Sequence, residues 1–136
     1  MSESNKMVIR QLFDLYNEGA FDMLEGLVSP DYVHHNNDAN LTFAQFKRGA
    51  AWLRAGMPDF HLVTEDMLAE ADKVAVRFIG RGTHLGSLYG ETPTSRSVAL
   101  HGMVVYRLHD NKVAEDWEIA DEHDLMKQVG AVAQDG

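Results

Sequence analysis

The chain has no cysteine among its 136 residues. That excludes disulfides, thiol nucleophiles and thiolate metal sites, and it fits a cytoplasmic protein. Positive charge is scarce: 12 Lys and Arg stand against 21 Asp and Glu, a formal net charge of -9. Such a chain offers no basic face to a phosphate backbone or an anionic bilayer, so neither nucleic acid nor membrane is an expected partner. No apolar run approaches the length that spans a bilayer. The opening residues, Met1 to Lys6, are polar, unlike a secretory signal. There is no His-Glu-x-x-His or other spaced ligand set, so no metal is expected. The glycine-rich stretch Gly80 to Gly90 lacks the Gly-Lys-Ser/Thr ending of a phosphate loop. Repeats, linkers and low-complexity segments are absent too. Residues 1–136 read as one domain, and a hydrophobic fraction of 45% is enough to build its core.

What is present is periodicity. Ile9, Leu12, Phe13 and Tyr16 recur at helical spacing, which predicts an amphipathic helix over about residues 3–16. Asn17-Glu18-Gly19 ends it, Gly19 being able to take a positive φ. A short second helix should follow, with Phe21, Leu24 and Val28 inward, and then a turn at Ser29-Pro30-Asp31. Thr42-Phe43-Ala44-Gln45 has the form of a capping box, so a third helix starts there. Its apolar stripe is Phe43, Phe46, Ala50, Leu53 and Met57, and Pro58 stops it.

Beyond Pro58 the period changes to two. Strands are expected over His61 to Leu68, around Val74 to Ile79, over Val98 to Leu108 and over Val113 to Ile119. Asp110-Asn111 is the turn of the last hairpin. A terminal helix over residues 121–128 is closed by Gly130. Helices first and strands afterwards mean α+β. The expected architecture is a cone-shaped α+β barrel: three N-terminal helices packed on a strongly curved antiparallel sheet, leaving a conical pocket.

Four segments carry a resemblance. They are Leu15-Tyr16-Asn17-Glu18-Gly19, Pro30-Asp31-Tyr32-Val33-His34-His35, Gly82-Thr83-His84-Leu85-Gly86 with Pro93-Thr94-Ser95-Arg96, and the ending from Asp121 through Leu125 to Gln128-Val129-Gly130. Together they resemble the SnoaL-like polyketide cyclases of the nuclear-transport-factor-2-like superfamily, over nearly the whole chain. The resemblance implies a cystatin-like fold, a homodimer and chemistry without metal or cofactor. One carboxylate in an apolar cone would act as general acid/base on a small hydrophobic carbonyl compound, closing a ring by an aldol-type step. The superfamily also hosts epoxide hydrolases, isomerases and non-catalytic binding proteins, which stay open as alternatives.

The family's acid/base is an aspartate near the end of the last strand. That position falls on Glu118, counted forward from Asp110-Asn111-Lys112 and back from Gly130. Glutamate is one methylene longer, and a displacement near ~1 Å can cost about a hundredfold in rate. Two polar family positions on the preceding strand fall on Gly102 and Val104. Asp116 shares the parity of Glu118, and neighbouring carboxylates raise one another's pKa. Simple alternation puts Val113, Trp117 and Ile119 on one face and Asp116 and Glu118 on the other. Glu118 is then solvated in a one-sided sheet, or inward if a dimer covers Trp117.

Asp121 is either a further acid/base or the N-cap of the last helix. His84 is either an inward group or a loop histidine bonded to backbone. His34 and His35 point to opposite sides if extended, and His35 is the one expected near the cavity mouth, orienting substrate. The expected cavity walls are Tyr16, Phe46, Ala50, Leu53, Met57, Val104 and Tyr106. Tyr16 and Tyr106 lead among them, because a buried phenol needs a polar partner. His101 is expected on the outer face, and Arg96 as a loop anchor.

Overall fold

The computed structural model describes residues 2–37 and 39–133. Helix α1, Ser2–Asn17, buries Ile9, Leu12, Phe13 and Tyr16, the stripe its period predicts. Its C-terminal carbonyls are capped from a distance. Arg54 Nη1 donates to the Tyr16 carbonyl at 3.0 Å and Nη2 to that of Asn17 at 2.9 Å. A cation at a helix C-terminus also suits the helix dipole. The Asn17 side chain then bridges both backbone groups of Leu62.

The expected second helix is a 3₁₀ helix over Phe21–Leu27. Val28 lies outside it, and the expected Ser29-Pro30-Asp31 turn does not form. These residues belong to strand β1, Val28–Asn36. Pro30 has no N–H to give to a ladder. It accordingly sits in an irregular stretch, since the pairing register of β1 shifts between Val28 and Val33. Strand β2, Ala39–Leu41, was not anticipated. Helix α2, Phe43–Gly56, carries the full reciprocal capping box between Thr42 and Gln45.

Four longer strands follow: β3 His61–Glu70, β4 Lys73–Thr83, β5 Ser97–His109 and β6 Lys112–Ala120. Helix α3, Glu122–Val129, closes the described chain. Asp110 and Asn111 both take left-handed conformations, φ 51° and 60°, as a tight hairpin turn requires. The six strands form one curved, unclosed sheet in the order β2-β1-β6-β5-β4-β3. Every neighbouring pair is antiparallel except β1 with β6. The purely antiparallel sheet of the sequence reading is corrected there, because a strand preceding α2 docks beside the last one through a long connection.

One residue sets the faces of β6. Arg107 pairs with Glu115 but Leu108 pairs with Val113, so Ala114 is an extra, unpaired residue. A bulge of this kind shifts side-chain parity along its strand. Val113 is therefore buried on the same side as Asp116 and Glu118, not with Trp117 and Ile119 as alternation alone suggests. Trp117 and Ile119 stay on the outer face, 39% and 74% exposed.

The inner face meets α1 through aromatic edges. Phe13 packs at 6.5 Å from Phe78 and 6.3 Å from Tyr106. Phe78 lies over Gly102, where any Cβ would stand 2.5 Å from its ring. Gly86 is pressed on the end of α2, and its N–H donates to the Gly56 carbonyl at 2.9 Å. Among the described residues no helix is long and apolar enough to cross a membrane.

Candidate active site

A cavity of about 290 Å³ lies between α1, α2 and the inner face of the sheet. Leu12, Phe13 and Tyr16 of α1 and Phe43, Phe46, Ala50 and Leu53 of α2 supply an apolar wall. Opposite them the sheet presents His34, Asn36, Tyr106, Asp116 and Glu118. The order of these polar groups follows from pairing. His34, Asp116 and Tyr106 lie in one row across β1, β6 and β5, and Asn36, Glu118 and Val104 in the next.

Asp116 is almost fully buried and accepts two hydrogen bonds. Oδ2 takes the Tyr32 hydroxyl at 2.5 Å, and Oδ1 is bonded to Nδ1 of His34. Burial is the largest influence on His34 and would lower its pKa. The Asp116 hydrogen bond, the Asp116 charge and the Glu118 charge together outweigh it and raise it. The His34 ring stands edge-on to Phe46 at 5.1 Å.

Glu118 is treated differently by its surroundings. No hydrogen bond holds its carboxyl among the described residues, and the surface it keeps faces the cavity. Burial pushes its pKa up to about 7. The His34 charge opposes that rise, and the Asp116 and Glu122 charges add to it. Its register partner Asn36 brings a sealed Oδ1 that has no hydrogen-bond partner among the described residues. Tyr16 and Tyr106 are both held as neutral phenols. Burial raises them most, followed by Glu118 for Tyr16 and by Asp116 for Tyr106.

No Lys or Arg lines the cavity among the described residues. Nor do three His, Asp or Glu side chains converge there as a metal-ligand set. At the rim, Trp52 of α2 and Tyr89 meet edge to face at 4.9 Å.

Residues 6–129 match the model of the SnoaL-like polyketide cyclases. The chain belongs to this family. AclR from Streptomyces galilaeus, provisionally described as a hydroxylase, superposes with a TM-score of 0.93 at 25% identity, covering 100% of this chain and 87% of that one. IdmH from Streptomyces antibioticus, provisionally described as a polyketide cyclase, superposes at 0.84 with 26% identity, covering 93% and 98%. A SnoaL-like protein from Jannaschia sp. CCS1 shares the fold at 0.85 with 22% identity, covering 97% and 95%. No curated protein matches the sequence significantly.

Of the residues singled out from the sequence of this SnoaL-like chain, Glu118, Asp116, Tyr16, Tyr106, Phe46, Ala50 and Leu53 come together at the cavity. The others do not. His35 points to the outer face, where it stacks on Trp117 at 5.4 Å and bonds Glu115 through Nε2 at 2.6 Å. His84 is buried in the loop after β4, where its Nδ1 accepts from the Thr94 N–H at 3.2 Å. That bond ties two loop segments and leaves the ring away from the cavity. Met57 is sealed under Gly82, and Val104 is buried without lining the cavity. Asp121 caps α3 by accepting from the Asp124 N–H at 3.0 Å, and it is absent from the cavity wall.

Tyr32, His34 and Asn36 also line the cavity, and none of them is expected there from the sequence. The alternation of His34 and His35 was visible, but which of the two faces inward is set by the pairing of β1 with β6.

Proposed function

We propose that this protein is a cofactor-independent, cyclase-like enzyme that moves a proton on a neutral hydrophobic carbonyl compound, with Glu118 as the general acid/base. One observation carries the reading. Glu118 is a carboxyl without a hydrogen-bond partner among the described residues, at an aromatic cavity, with its pKa pushed to about 7 by burial. A base poised near working pH is ionised often enough to act and basic enough to accept a carbon-bound proton. The aromatic wall suits a flat, apolar substrate, and the absence of Lys and Arg from it favours an uncharged one. In an aldol-type closure Glu118 removes a proton next to a carbonyl, the enolate carbon attacks a second carbonyl, and Glu118 returns the proton to the new alkoxide. The cavity contributes by holding the two carbons within reach.

Turnover of neutral aromatic polycarbonyl compounds by the native chain and by Glu118→Gln tests this. Loss of turnover with the fold retained is the expected result, and unchanged turnover removes the mechanism. Ligands that raise the melting temperature without being converted would instead mark a binding protein.

The same proposal includes a homodimer in which a second copy covers the outer face of β5 and β6. Met103 and Ile119 are register partners there, 59% and 74% exposed, beside Trp117. An apolar strip of this kind is what isologous sheet contacts bury.

A further inference from the structure

With Glu118 as the base, the group that meets charge on the substrate's oxygen is still to be assigned. When a carbon acid loses its proton, negative charge collects on the carbonyl oxygen, and a preorganised donor there is worth much of the barrier. His35 and His84 cannot serve, because both lie away from the cavity; Tyr16 lines it but offers only a neutral phenol. His34 lies in the cavity wall. Its Nδ1 is taken by Asp116, and Asp116 is in turn fixed by the Tyr32 hydroxyl. Nε2 makes no hydrogen bond among the described residues, yet it is not among the sealed, unpartnered atoms of the interior, which leaves it open to the cavity. Glu118 sits two residues along β6 from Asp116 on the same face. The ring plane is held from the side by Phe46 at 5.1 Å.

We propose that His34 is the second catalytic group of this site, an imidazolium whose Nε2–H binds the substrate's carbonyl oxygen while Glu118 takes the neighbouring proton. This rests on the acid/base reading of Glu118. Asp116 and Tyr32 are positioning residues: an acceptor on Nδ1–H fixes the ring's orientation and favours its charged form. In the step itself the C–H bond breaks and its proton goes to the Glu118 carboxylate. The electron pair forms the C=C bond of the enolate, and the charge on oxygen is met by Nε2–H. No electron leaves the pair of reactants, and Glu118 later returns the proton.

The groups that face His34 set its pH behaviour. Asp116 and Glu118 on β6 favour the charged ring. Tyr32 on its own strand and Tyr106 on β5 both meet Asp116, and both stay neutral. From α2 the contact is the Phe46 ring. Activity should rise as Glu118 ionises and fall again as His34 loses its proton, giving a bell-shaped profile.

The test uses a nitrobenzisoxazole, a neutral carbon acid whose deprotonation releases a coloured phenolate. Glu118→Gln should abolish the reaction. His34→Gln should lower kcat about a hundredfold with KM little changed, and it should remove the alkaline limb of the profile. If His34→Gln keeps both rate and profile while Glu118→Gln does not, His34 is overturned and Glu118 stands. If Glu118→Gln keeps the rate, the base reading itself has failed. Should His34→Gln not fold, or the probe not react, the imidazole nitrogen resonances of the native chain decide. Nε2 must carry a proton at pH 7 and must shift when p-nitrophenol is added. An unprotonated or unmoved Nε2 overturns the proposal.

Discussion

Asp116 and Glu118 stand two residues apart on one strand and face one cavity, yet among the described residues Asp116 accepts two hydrogen bonds and Glu118 accepts none. The division follows from the row each occupies. The Asp116 row ends on a histidine with a tyrosine beside it, and the Glu118 row runs between Asn36 and Val104. One carboxylate is thereby anchored as structure, and the other is left able to gain and lose a proton.

That freedom has a stability cost. The folded pKa of Glu118, about 7, lies above its ordinary 4.5, so the folded state binds more protons than the unfolded chain between those values. Stability contributed by this group is present below pH 4.5 and is lost as pH rises through about 7. The loss is about 3 kcal/mol above neutrality at about 1.4 kcal/mol per unit. Glu118→Gln should therefore melt at a higher temperature than the native chain at pH 8 and at nearly the same temperature at pH 4. Calorimetry at the two pH values checks this.

Asp116→Asn should act in the opposite direction. An amide in place of the carboxylate turns one of two acceptor atoms into a donor facing either Tyr32 or His34. A buried group left mispaired costs about 1–3 kcal/mol. Urea unfolding should show a fall in that range, and Tyr32→Phe, which keeps the ring but leaves the buried Asp116 Oδ2 without its donor, should fall by a similar amount, about 1–3 kcal/mol.

Two glycines on or beside α2 predict opposite outcomes. A Cβ on Gly86 would stand 2.2 Å from the Ala55 carbonyl oxygen, a backbone atom with nowhere to move. Gly86→Ala should cost about 1–3 kcal/mol by overpacking. Gly49 lies within α2 with nothing within 4 Å of such a Cβ. Gly49→Ala should stabilise by about 0.5–1 kcal/mol through helix propensity. Thermal melts of the two variants should move apart.

The proposed homodimer makes its own prediction. Trp117→Lys puts a charge in the middle of the outer strip beside Met103 and Ile119. Light scattering should report the mass of two chains for the native protein and one for the variant. A single-chain mass for the native protein removes this part of the proposal.

Much of this molecule was legible because its signals are local. The Thr42 capping box, the Asp110-Asn111 turn and the alternation along β5 depend on neighbours a few residues away, and all form. The failures share a different cause. Ala114 looks like any small residue, and only its lack of a partner on β5 reveals the bulge that turns Val113 inward. Pro30 reads as a turn because nothing near it announces the strand laid alongside β6. His35 was preferred to His34 for the same reason. Long-range register decides which side of a strand faces the core, and a one-residue change in register inverts it.

The chain's two tryptophans occupy separate places. Trp52 sits at the cavity rim against Tyr89, and Trp117 lies on the outer face against His35. A guest entering the cavity disturbs the first indole, and a neighbour docking on the sheet disturbs the second. The molecule thus carries two built-in optical reporters, and replacing either with phenylalanine leaves a single emission channel, one for occupancy and one for assembly.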